Sequence, residues 1–328
     1  MPATRAGDMH YTTQPNGYLE PKIGTCGFSS IAPKTIVETF QETVEKFGKR
    51  NAMGMKRPVN NVVPREWTFW TWEAYYADCS KFAKSLLKLG CEAYTVVNII
   101  GFNSPEWFIA NNGAILASQI AAGIYTTNLP EACEYVSEHS KAQVVVVEGN
   151  KQLAKYAEIS KNLPELKAIV VWGEPIDDSL AKKCGKAVYS FDDFLSHGED
   201  ITDAALEKRQ SAVRAGNCSS LIYTSGTTGS PKAVMISHDN VTWTSTTMSD
   251  SYMPLNHEDR IVSYLPLSHI AAQLVDIHIP MHLGCCTYFC DENAMKGTLT
   301  VTMQDVKPTF FFGVPRVWEK IQVSRSQV

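Results

Sequence analysis

The run VVNIIG, residues 96–101, decides the fold. It is apolar almost throughout and closes on a glycine. A strand with one wet face alternates apolar and polar residues. A strand of a parallel sheet is covered on both faces and reads as one apolar run. Two more such runs follow, QVVVVEG at 143–149 and AIVVWG at 168–173. Helical patterns stand between them: PEWFIANNGAILASQIAAG at 105–123, opened by Pro105, and KQLAKYAEISKNL at 151–163. Strand, helix, strand, helix, strand in short runs predicts an α/β fold, with parallel sheets flanked by helices.

Working outward, PKTIVETFQETVEKFG at 33–48 reads as a helix with Ile36, Phe40, Val44 and Phe47 on one face. EWTFWTWEAYYADCSKFAKSLLKLG reads as a short aromatic strand and a second helix ending at Gly90. Residues 174–216 are more polar and are expected to form a surface segment leading to a second unit. Beyond it, SSLIY (219–223), AVMIS (233–237), RIVSYLPL, CCTYFC and VKPTFFFGVP read as strands. The expected division is a disordered polar leader over 1–23, one α/β subdomain over about 91–215, and a second from 24–90 together with 216–321.

Composition excludes several classes. The 328 residues are 44% hydrophobic and 20% charged, as in ordinary globular proteins. A net charge of −4 offers no footprint for nucleic acid. No apolar window is long enough to cross a membrane as a helix, and the N-terminus lacks the apolar core of a secretory signal. Nine scattered cysteines fit a reducing compartment, and they are expected to be free thiols without metal. HIPMHLGCCTYFC (278–290) clusters histidine and cysteine, but its spacing suits buried thiols in a strand better than zinc. The sequons at Asn217 and Asn240 read as chance.

The chemistry concentrates in YTSGTTGSPKAV, Tyr223–Val234. Its glycines let backbone N–H groups converge on one point, its hydroxyls add donors without bulk, and Lys232 adds a point charge. An anion at the carboxyl end of a strand needs that combination, and phosphate is the common biological anion of matching size. The spacing is not that of a Walker A loop, because the fifth residue after Gly226 is Pro231. A plain Gly/Ser/Thr connector between strands has the same composition.

The longer stretch YTSGTTGSPKAVMISH resembles the phosphate-binding signature of the adenylate-forming (AMP-binding) superfamily. YLPLSHIAAQ (264–273) is similar to that family's next motif. GFNSPEWFIANNGAILASQIAAGIYTTN and LPELKAIVVWG resemble the bubblegum-type long-chain acyl-CoA synthetases, across residues 24–321 and the N-terminal half of such enzymes only. The resemblance implies an AMP-forming long-chain-fatty-acid–CoA ligase. A fatty carboxylate attacks the α-phosphorus of ATP with Mg²⁺, and coenzyme A then displaces AMP from the acyl-AMP. By motif match, Thr224, Ser225, Gly226, Thr227, Thr228, Gly229, Ser230, Pro231 and Lys232 would hold the β- and γ-phosphates. Lys232 and His269 would be the catalytic residues, with His269 beside the carboxylate. The implied partners are a long-chain fatty acid, ATP and CoA, in the cytoplasm or peripheral to the endoplasmic reticulum membrane.

Two departures qualify the resemblance. Ala233 stands where the family usually has glycine, which would cost on the order of 1 kcal/mol if the position requires a positive φ. The family's later adenine and ribose motifs, hinge and C-terminal lid domain have no counterpart, and residues 322–328 look unrelated. The expectation is a truncated chain, inactive alone. The alternative is a non-catalytic nucleotide- or lipid-binding fragment associating with a full-length homologue.

Overall fold

In a computed structural model, the described residues are 11–58, 63–224 and 230–325. Their strands, in chain order, are β1 (Asn51–Met55), β2 (Thr68–Thr71), β3 (Val96–Ile100), β4 (Ile120–Ile124), β5 (Ala142–Glu148), β6 (Ala168–Trp172), β7 (Ala187–Ser190), β8 (Cys218–Thr224), β9 (Lys232–Ser237), β10 (Arg260–Ser263) and β11 (Cys286–Phe289). The first five helices are α1 (Ile36–Phe47), α2 (Trp72–Lys88), α3 (Pro105–Leu116), α4 (Pro130–Ser140) and α5 (Gly149–Ile159).

The chain divides into two compact units, 1–38 with 78–101 and 110–244, and 39–77 with 102–109 and 245–328. This differs from the expected division, which grouped 216–244 with the later residues. β8 pairs β4 in parallel and β9 pairs β8 in antiparallel, so both strands belong to the first sheet.

The first unit holds a seven-stranded sheet in the order β7-β6-β5-β3-β4-β8-β9, parallel except for β9. Every residue of β3, β4 and β6 is buried. Val96, Ile100, Val145, Val147, Ile169 and Val171 pack with Leu153 and Tyr156 of α5 into one cluster. Burial of such side chains is worth roughly 1.5–3 kcal/mol each, which pins this sheet's register.

The stretch read as one helix over 105–123 is two elements. Helix α3 starts at Pro105, where a missing N–H costs nothing, and stops at Leu116. Ser118 then adopts a left-handed φ of 60°, and residues 120–124 run as β4 between β3 and β8. The polar segment 174–216 also carries structure: helices at Asp178–Cys184, Phe191–His197 and Asp203–Gln210, and β7 at the sheet edge.

Residues 11–23 of the expected leader lie among the described ones. Tyr18 bridges to Asn217, the Asn217 side chain donates to the Gly17 carbonyl at 3.2 Å, and the Arg214 guanidinium lies 3.4 Å from the centre of the Tyr18 ring. A Cβ at Gly216 would strike the Leu19 carbonyl, so only glycine lets this segment lie so close. Asn217 is buried, which keeps its sequon from any transferase in the folded protein.

The second unit holds a four-stranded sheet, β10-β11-β1-β2, parallel except for β2. Beside its apolar cluster of Val262, Tyr264, Leu299, Val306 and Val317 runs a buried polar chain. Asn103 Nδ2 donates to Ser263 Oγ (2.8 Å), which donates to Asp276 Oδ2 (2.7 Å). Thr287 Oγ1 donates to the Asp276 carbonyl at 2.8 Å. Asp276 sits in a π-helical turn, Leu274–His278, and burial pushes its carboxyl up to about 8. Burial pushes the buried His278 imidazole down to about 3. Residues 306–315, expected as a strand, instead run from the end of one helix (Leu299–Val306) to the start of another (Pro315–Arg325) and contribute one bridge, Ile261 to Phe310; the expected tail from 322 begins inside the second helix. No helix among the described residues is long and apolar enough to cross a membrane.

Candidate functional site

β8 and β9 form a hairpin whose last pair is Thr224 opposite Lys232. The predicted phosphate loop is what joins them. Its middle, Ser225, Gly226, Thr227, Thr228 and Gly229, lies outside the described residues. Thr224, Ser230, Pro231 and Lys232 are described and come together at the strand ends. β8 runs parallel to β4 and β3, so the loop leaves the carboxyl edge of the sheet, where ligands of open α/β sheets bind. Lys232 is exposed, and its ammonium has no acid or carbonyl partner among the described residues. An ammonium without such a partner among the described residues, next to a hydroxyl-rich sequence, suits an anionic ligand.

Ala233 is an ordinary strand residue. It pairs with Tyr223, and it is not among the non-glycine residues with positive φ, which are Tyr94, Ser118, Lys141 and Lys307. The feared cost of alanine in a left-handed conformation therefore does not arise.

The foot of the hairpin is tied to α4, which the sequence reading did not mark. Tyr135 Oη donates to the Pro231 carbonyl at 2.9 Å. His139 Nδ1 lies 3.0 Å from Tyr223 Oη, and that hydroxyl donates onward to the Val136 carbonyl at 3.3 Å. With its proton so used, Tyr223 accepts from His139, which fixes the Nδ1–H tautomer. The Tyr135 and His139 rings stack with centroids 5.6 Å apart. Burial pushes the Tyr223 phenol up to about 12, so it stays a neutral donor. The loop after β4 is fixed too: Lys155 Nζ donates to the carbonyls of Thr126 (2.9 Å) and Asn128 (2.7 Å), and burial lowers its ammonium's pKa. The only sequence trace of this arrangement is the i, i+4 spacing of Tyr135 and His139.

His269 belongs to the second unit, whereas Lys232 belongs to the first. It caps the short helix Ile270–Gln273, its Nδ1 accepting from the Ala271 N–H at 3.1 Å, and its ring is exposed. No group of three or more His, Cys, Asp or Glu able to hold a metal occurs among the described residues.

The class follows from comparison. The profile of the AMP-binding enzyme family matches residues 40–327, and the chain belongs to that family. Among individual proteins it is similar to long-chain-fatty-acid–CoA ligase ACSBG2 of Gallus gallus, 45% identical over 99% of this chain and 42% of the relative. The ACSBG2 of Homo sapiens is 43% identical over 95% of this chain and 45% of its own length. ACSBG1 of Mus musculus is 40% identical over 95% and 42%. The chain thus spans less than half the length of these curated relatives. The crystal structure of the anthranilate CoA ligase AuaEII with anthranoyl-AMP superposes with a TM-score of 0.73 at 23% identity, covering 88% of this chain and 51% of that one. The adenylation domain of a carboxylate reductase from Mycobacterium chelonae gives 0.74 at 16%, covering 88% and 47%.

Proposed function

We propose that the chain carries the triphosphate-gripping part of an ATP-dependent long-chain-fatty-acid–CoA ligase that works through an acyl-AMP. The observation that carries this reading is the β8–β9 hairpin, which delivers Thr224 and a Lys232 with no ion-pair partner among the described residues to the carboxyl edge of a parallel sheet. The loop's task is to hold the departing pyrophosphate and spread its charge while a fatty carboxylate attacks the α-phosphorus. Backbone N–H groups and hydroxyls of residues 224–231 supply neutral donors, and Lys232 the charge. Such chemistry depends mostly on positioning and electrostatics. In the same proposal His269 stands beside the carboxylate, and CoA takes the acyl group in the second step. The ligase names of relatives 40–45% identical support this choice of substrates. Because the chain spans under half of each relative, the complete two-step reaction is proposed for the family's full arrangement, and the phosphate grip for this chain.

The test is a titration of the 328-residue chain with ATP and Mg²⁺. Lys232→Ala should weaken binding about ten- to a hundredfold, the loss of one charge-assisted hydrogen bond. Equal affinity in the two proteins would remove Lys232 from the site. Fatty-acid-dependent exchange of labelled pyrophosphate into ATP measures the first chemical step. We expect it to be far below that of a full-length relative.

A further inference from the structure

We propose that Tyr135 and His139 are positioning residues for the nucleotide, clamping the two feet of the phosphate loop against α4. The inference rests on the reading of residues 224–232 as a phosphate grip. One foot is the end of β8, where the buried Tyr223 hydroxyl takes a hydrogen bond from His139 and donates one to the Val136 carbonyl. The other foot is Pro231, one residue beyond the last rung of the β8–β9 ladder. Proline has no N–H to tie this residue back into the sheet, so its carbonyl is the backbone group left to anchor it. Tyr135 takes that carbonyl at 2.9 Å. The two clamping side chains stand one helical turn apart and stack on each other, so each holds the other's rotamer. As a general matter, when a set of N–H donors is in its binding arrangement only part of the time, apparent affinity falls with that fraction. Fixing both feet raises the fraction without either side chain touching the ligand.

Tyr135→Phe keeps the ring stack and deletes only the hydroxyl. His139→Ala deletes donor and stack together, and His139→Asn returns a donor near the Nδ1 position. Each variant is measured in the full chain for ATP affinity with Mg²⁺, for amide exchange at residues 222–224 and 232–234, and for the urea midpoint. Tyr135→Phe should weaken ATP binding about 2- to 10-fold, the scale of one neutral hydrogen bond. It should also speed exchange at the strand ends while the midpoint stays near wild type. His139→Ala should do the same, and His139→Asn should recover part of the loss, which a merely structural role would not predict. Wild-type exchange at both strand ends overturns the assignment. So does unchanged affinity in Tyr135→Phe when Lys232→Ala weakens binding. If Lys232→Ala itself leaves ATP affinity untouched, the phosphate reading has failed, and the exchange rates still decide whether the pair holds the hairpin.

Discussion

The seven-stranded sheet and the four-stranded sheet exclude water by different chemistry. β3, β4 and β6 are buried at every residue, and the flanking cluster is valine, isoleucine, leucine and tyrosine. In the smaller sheet, β2 buries none of its four residues, and the interior beside β10 adds a carboxyl to a hydroxyl and an amide in series. Among the described residues, the first interior holds neutral polar groups in pairs, Asn98 of β3 with Ser140 at 3.3 Å and Tyr156 with Ser137 at 3.0 Å. The second keeps an acid by holding it neutral and hydrogen-bonded. Buried polar chains of this kind are costly when broken and nearly neutral when complete. The contrast implies that the second unit should carry the pH sensitivity of a buried acid and that the first should not tolerate a buried charge.

The hardest test of that contrast is Val146→Asp, at the fully buried centre of β5. An uncompensated buried charge costs about 3–5 kcal/mol, so the variant should be largely unfolded or insoluble. A loss below about 1 kcal/mol in urea unfolding would mean that water reaches this sheet, and the comparison would fail.

Next in size is the pH dependence carried by Asp276. Its carboxyl is pushed up to about 8 in the fold and titrates near 4 when unfolded. Between those values the unfolded chain has lost a proton that the folded one keeps, so stability falls as pH rises. His278 has the opposite sign: it is pushed down to about 3 in the fold and titrates near 6.5 unfolded, so its share of stability rises with pH over that window. The two oppose each other between about pH 4 and 6.5, and from there to about 8 Asp276 acts alone. Asp276→Asn should match wild type near pH 5 and exceed it in stability at pH 8. Parallel urea midpoints for the two proteins from pH 5 to 8 would show that the carboxyl ionises freely inside the fold.

The smallest effect is that of Ser263→Ala, which leaves Asp276 and Asn103 each one partner short. Asn103 Nδ2 keeps its bond to the Leu265 carbonyl at 2.8 Å, so the cost should be about 1–3 kcal/mol. A neutral result at pH 7 would indicate that the chain of hydroxyl and carboxyl is not closed in solution.

The same contrast governs how much of the molecule its sequence discloses. β3, β5 and β6 are short valine- and isoleucine-rich runs, and burial on both faces leaves them few other readings. β4 escaped detection because Ile-Ala-Ala-Gly-Ile continues the apolar, alanine-rich text of α3, and apolarity alone does not separate a buried helix from a buried strand. The only break is the left-handed turn at Ser118, a residue that gives no warning of it. At the site, Thr224 to Lys232 could be marked from residue types and motif, and the register later paired the two end residues. Tyr135 and His139 could not be marked, since their partners Pro231 and Tyr223 are 96 and 84 positions away. Only the fold brings them together. Ala233 misled in the other direction, because family habit suggested a special backbone where the chain has a plain strand.

The Tyr18–Asn217 bridge sets a clock on synthesis. At roughly 5–20 residues per second, the ribosome needs about 10–40 s to make the chain between these two positions. For most of that interval Tyr18 is outside the ribosome while Gly216 and Asn217 do not yet exist. The segment around Tyr18 must therefore wait, undocked, for residues 216 and 217. Nascent chains stalled before residue 217 should be cut readily by protease near Tyr18, and longer ones should not.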